Sequence, residues 1–214
     1  MIDLYCERTG PGLWAEPVNA LTNLAYIAAA WALWHSARSS RTVGPGARLL
    51  IGLLVAIGTG SMLFHTFATP WARILDEVPI LLFQLSFLWL YARQIMGIAA
   101  VSAAGVLVGF LAAAYAGRQF PHLLNGSLLY APAFLVACGL GFYHYRTQPR
   151  EPFTMLAAAG IFVAAVLFRT MDNAICPSIP LGTHFLWHVL TAATLALFGR
   201  AVLTNMPTAV LMKL

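Results

Sequence analysis

Three histidines interrupt the apolar runs of this chain: His65, four residues after Ser61, and the pair His184 and His188. An ionisable side chain inside a hydrocarbon layer is costly, so its presence there points to function. The pair stands at i and i+4, which projects both imidazoles from one face of a helix and lets them grip one ion. With His65 added from another segment, the donor set is that of a catalytic zinc: three protein nitrogens and one position open to water.

The elements that must position these residues are membrane helices. The chain has 214 residues, of which 60% are hydrophobic and only 9% charged. A soluble domain carries about 25% charge, so this one is expected to be solvated mostly by lipid. Asp3, Glu7 and Glu16 outnumber the single Arg8 at the start of the chain, the opposite of a basic signal-peptide n-region. The first apolar run is therefore expected to stay as a membrane helix. A net charge of +5 comes without a stripe of Lys and Arg interleaved with aromatics, which argues against a nucleic-acid partner.

At roughly 20 apolar residues per crossing, seven spans are predicted, at about 17–37, 49–68, 71–93, 95–117, 126–145, 153–171 and 182–203. Residues 1–16 form an N-terminal extramembrane segment. The fold class expected is all-α, a polytopic seven-helix bundle. With no tandem repeat and no low-complexity linker, residues 1–214 are read as one domain. Arg8, Arg73, Arg118 and Arg169 fall on the side of the N-terminus, against Arg38, Arg41, Arg48, Arg93, Arg146, Arg150, Arg200 and Lys213 on the other. The excess of basic residues marks the cytoplasmic face, so the N-terminus is expected outside and the C-terminus inside.

This topology brings the candidate groups to one depth. His65 lies near the exit of the second span, Asp76 in the early turns of the third, and His184 and His188 at the start of the seventh. All arrive in the non-cytoplasmic leaflet. Taken singly, each has a plainer reading: Asp76 with Glu77 suits a helix N-terminus, and Ser61 can bond back to the preceding turn. Their convergence favours a shared site. His35, His122 and His144 are read as interfacial or hydrogen-bonded residues.

Gly60-Ser61-Met62-Leu63-Phe64-His65, Asp76-Glu77 eleven residues after that His, and His184-Phe185-Leu186-Trp187-His188 together resemble the alkaline ceramidase family. Tyr5-Cys6-Glu7, Glu16-Pro17-Val18-Asn19 and Arg169-Thr170-Met171-Asp172 extend the likeness over nearly the whole chain. That family belongs to the CREST superfamily of seven-helix intramembrane hydrolases, and the short loops suggest a minimal, bacterial-type member. The resemblance implies that His65, His184 and His188 bind zinc, and that Ser61 and Asp76 line the same site. Asp76 would then act as general base and acid, and Ser61 would donate a hydrogen bond to the tetrahedral oxyanion.

The resemblance also implies calcium bound by the N-terminal segment, with Glu7 and Glu16 matching two glutamate ligands. The family's leading Asp aligns with Leu4, beside Asp3; its Trp becomes Tyr5 and its Asn becomes Thr9. Asn19 and Asn23 offer replacement oxygens, and an ordinary solvated acidic terminus is the alternative. A bridge between Cys6 and Cys176 is implied as well, on the face where oxidation is permitted. Cys138 reads as a small buried hydrophobe, and Arg169 and Asp172, at i and i+3, as an ion pair.

The expected function is zinc-dependent hydrolysis of the amide of ceramide or a related N-acyl lipid, giving a fatty acid and an amine. A lipid ester hydrolase of the same superfamily, or a seven-helix receptor with a structural zinc, are the alternatives. A transporter would call for inverted repeats, which the chain lacks. The expected partners are the bilayer and a lipid substrate.

Overall fold

The computed structural model describes residues 1–40 and 42–206; Arg41 and Lys213, two of the basic residues assigned to the cytoplasmic side, lie outside them. The described residues are all helical and irregular, with no strand. After the N-terminal segment come α1 (Pro17–Thr22), α2 (Leu24–Ser39), α3 (Pro45–Phe67), α4 (Pro70–Leu90), α5 (Ala100–Arg118), α6 (Ala131–Thr147), α7 (Thr154–Ile175) and α8 (His184–Asn205). A π turn, Tyr91–Ile95, prolongs α4, and a 3-10 segment, Leu123–Tyr130, leads into α6. Among the described residues six helices are long and apolar enough to cross a membrane.

The segment expected as the first span, over about 17–37, is divided at Asn23 into α1 and α2, neither of which is among those six. The cause is local competition for one carbonyl. The Asn19 carbonyl accepts from Asn23 Nδ2 at 2.8 Å, with Thr22 Oγ1 also close at 3.1 Å. The Asn23 backbone N–H turns instead to Ala20 at 3.4 Å, a 3-10 bond that tightens the helix.

The segment around Gly117 to Gly126 is a reversal rather than a simple break. Leu124, Asn125 and Gly126 all have positive φ, at 52°, 51° and 72°. Asn125 is held there by a 3.0 Å bond from Arg169 Nη1 to its carbonyl. The core, which includes Leu50, Leu54, Phe83, Tyr91, Met155 and Val202, runs between α2, α3, α4, α7 and α8. Cys138 is partly buried against it. His144 is fully buried and bonded through Nδ1 to the Tyr91 hydroxyl at 2.9 Å; His35 and His122 are exposed.

Packing of α3 along α4 aligns two of the candidate residues. Pro79 lies inside α4 and has no N–H for the Leu75 carbonyl four residues back. That same carbonyl is pressed onto Gly60 of α3, where a Cβ would collide with it and would sit 3.2 Å from the Asp76 nitrogen. Lacking a side chain, Gly60 lets α3 close onto α4 and sets Ser61 beside Asp76.

Gly52, on the same helix, has nothing within 4 Å of a Cβ. Replacing a helical Gly by Ala is favourable by up to about 1 kcal/mol where there is room. Gly52→Ala should therefore raise the thermal unfolding midpoint, and Gly60→Ala should lower it. A midpoint that rises in both variants would show that α3 and α4 are not in tight contact at Gly60.

Candidate metal centre

His184 opens α8, and Asp172 fixes that opening. Its Oδ1 accepts from the backbone N–H groups of Thr183 at 2.7 Å and His184 at 2.9 Å, and its Oδ2 from that of Cys6 at 3.0 Å. A carboxylate at a helix N-terminus satisfies orphan donors and meets the positive end of the dipole. Gly182 makes room for it: φ is +67°, and a Cβ there would strike Asp172 Oδ1 and lie 2.6 Å from the Cys6 Cβ. Cys6 is bonded to Cys176, with Cα atoms 5.5 Å apart, so the N-terminal segment is tied to the α7–α8 connection.

Arg169 and Asp172 do not pair, contrary to the i, i+3 expectation. Arg169 turns the other way, donating to Asn125 O and, at 2.8 Å, to Ser127 Oγ, with its guanidinium over the Tyr130 and Trp187 rings at 5.2 and 5.8 Å. Three backbone donors at Asp172 leave that carboxylate satisfied without it.

One turn into α8, His188 comes opposite His65 of α3. Their Nε2 atoms are 3.1 Å apart. The ring nitrogens of His65, His184 and His188 lie within 4.8 Å of one another, and all three residues are buried. Such a group can hold a metal ion, and the outer hydrogen bonds favour it. The Val18 carbonyl lies 2.8 Å from the Thr22 hydroxyl; a hydroxyl donating there can accept the Nδ1 proton of His188 at 3.0 Å. His65 Nδ1 lies 2.5 Å from Glu16 Oε2, an acceptor that likewise draws the proton to Nδ1. Both Nε2 lone pairs are left pointing inward. Tyr5 stacks on the His184 ring, with centroids 3.6 Å apart and planes at 14°, and His184 Nδ1 has no hydrogen-bond partner among the described residues.

Ser61 is buried and Asp76 partly accessible, on neighbouring helices that close on each other at Gly60. An apolar cavity runs along α8 past Trp187, Thr191 and Phe198, walled by Tyr26, Phe83 and Tyr130.

The two glutamates expected around calcium have other partners. Glu7 accepts from the backbone of Val18 at 2.7 Å and Asn19 at 2.8 Å, and so caps α1. Glu16 pairs with Arg8 and His65 and receives Asn19 Nδ2 at 3.2 Å. Burial would raise the Glu16 carboxyl, but His65 and Arg8 outweigh it and hold it below its ordinary value. Asp3 is exposed. Thr22, Asp172 and the Arg8–Glu16 pair carry no sequence signal for these roles, because each partner is distant in the chain.

Asp172→Asn keeps one acceptor but turns an NH2 group toward backbone N–H. Each unsatisfied donor costs about 1–3 kcal/mol. The variant should melt lower and lose metal faster to a chelator than the unaltered protein; unchanged values of both would contradict the capping role.

Among curated proteins none matches the chain. The model of the family described as Ceramidase matches residues 5–207, a stretch that takes in the N-terminal segment, all three histidines, Ser61 and Asp76. The chain belongs to the ceramidase family.

Proposed function

We propose that this protein is a zinc-dependent intramembrane hydrolase that cleaves the amide of ceramide or a related N-acyl lipid into a fatty acid and an amine. The observation that carries it is the pair of inward-facing Nε2 atoms at 3.1 Å, with His184 beside them and Ser61 and Asp76 adjoining. Two nitrogens bound to one tetrahedral zinc at about 2.05 Å stand about 3.3 Å apart, so the His65–His188 spacing suits that ion. Oxygen-seeking calcium or magnesium would not select three imidazoles.

Zinc there supplies Lewis-acid activation of water at neutral pH. Asp76, the carboxylate next to the histidines, takes the proton that the attacking water gives up and returns it to the nitrogen of the departing amine. Ser61 donates a hydrogen bond to the carbonyl oxygen as it gains negative charge. The acyl chain occupies the apolar cavity beside α8, and Asp76 keeps partial accessibility. The charge asymmetry of the loops supports placing this centre in the non-cytoplasmic leaflet, with the N-terminus outside.

A metal that only braces a receptor needs no acid-base residue, and Asp76 beside the histidines favours the hydrolase. Asp76→Asn should retain zinc while turnover of an N-acyl lipid falls by about 10²–10⁴-fold. Purified protein should release fatty acid from N-acyl lipids in preference to O-acyl lipids of the same chain length. Preferential release from the O-acyl lipids would make it an esterase; release from neither, or full activity in Asp76→Asn, would overturn the assignment.

A further inference from the structure

The N-terminal segment carries a buried cation of its own. Arg8 is 5% exposed and Glu16 3%. Arg8 Nε donates to Glu16 Oε1, Nη2 to the His65 carbonyl at 2.7 Å, and Nη1 to the Gly10 carbonyl at 3.3 Å. The other Glu16 oxygen lies 2.5 Å from His65 Nδ1. One guanidinium thus holds His65 twice, directly at the backbone and through Glu16 at the ring.

Calcium does not fit this arrangement. It takes six to eight oxygens, and its charge would share a carboxylate with a guanidinium that stays charged at any ordinary pH. Both Glu7 oxygens cap α1, and both Glu16 oxygens are engaged with Arg8, His65 and Asn19. Among the described residues, the Asn19 and Asn23 amide oxygens are the buried side-chain acceptors of this region left without a partner, too few for a calcium shell.

We propose that Arg8 is the resident cation of this segment, standing where the family resemblance places calcium, and that Arg8 and Glu16 are positioning residues for His65. A carboxylate on the far nitrogen of a ligating histidine fixes its tautomer and orientation, and losing it costs about 10–100-fold in metal affinity. Because this cation is part of the chain, His65 is held without a second metal. The positioning half rests on the reading of His65 as a zinc ligand; the calcium half does not.

The test uses the purified full-length protein in detergent. Titrated with calcium from calcium-free buffer, it should show no saturable radiocalcium binding in the micromolar range and no change in unfolding midpoint. Stoichiometric binding with a raised midpoint would overturn the calcium half. Glu16→Gln and Arg8→Lys should each release zinc to a competing chelator at about 10-fold lower chelator concentration. The visible bands of their cobalt-substituted forms should also shift, a readout that lost stability alone would not move. Unaltered zinc retention and unaltered cobalt spectra in both folded variants would overturn the positioning half. If the unaltered protein binds no zinc at all, the hydrolase reading fails, while the calcium result stands separately.

Discussion

Two buried imidazole nitrogens that meet across 3.1 Å must share a proton or a cation, because two facing lone pairs repel. Both outward nitrogens have an acceptor within reach, Thr22 Oγ1 and Glu16 Oε2, which favours a proton on each Nδ1 and leaves the inner nitrogens for a cation. In a layer that offers no water, such a pair is tolerable only as part of a site. Much of the surrounding structure can be understood as the apparatus that holds it.

That apparatus works by closure at three places. Gly60 and the Leu75 carbonyl freed by Pro79 bring α3 onto α4, so the serine of one helix meets the aspartate of the other. Asp172, Gly182 and the Cys6–Cys176 bond fix the first turn of α8, and with it His184. The N-terminal segment folds under both, stacking Tyr5 on His184 and placing Glu16 on His65. A centre assembled from the chain start, α3, α4 and α8 has no local folding unit, which explains why small residues and single carboxylates carry so much of it.

Features with a period or a short spacing are legible in the sequence. Apolar runs of bilayer length mark the helices, and His184 with His188 at i and i+4 declare a shared face. The joint at Asn23 escapes hydropathy, which does not register a contest for one carbonyl between Thr22 and Asn23. Asp172 reads as the partner of Arg169 because a nearby opposite charge is visible in a sequence, whereas backbone donors at Cys6, Thr183 and His184 are not. Glu16 stands out as an oxygen ligand; its bond to His65 spans 49 residues and has no sequence signature.

The family match gives the chemistry its direction, and the buried histidines give it a place. X-ray absorption at the zinc edge of the purified protein examines that place directly. Three nitrogen scatterers and one oxygen at about 2.0–2.1 Å are expected, with the signal lost in His65→Ala. A sulfur shell at about 2.3 Å, or no zinc in protein that hydrolyses lipid, would contradict a centre built on His65, His184 and His188.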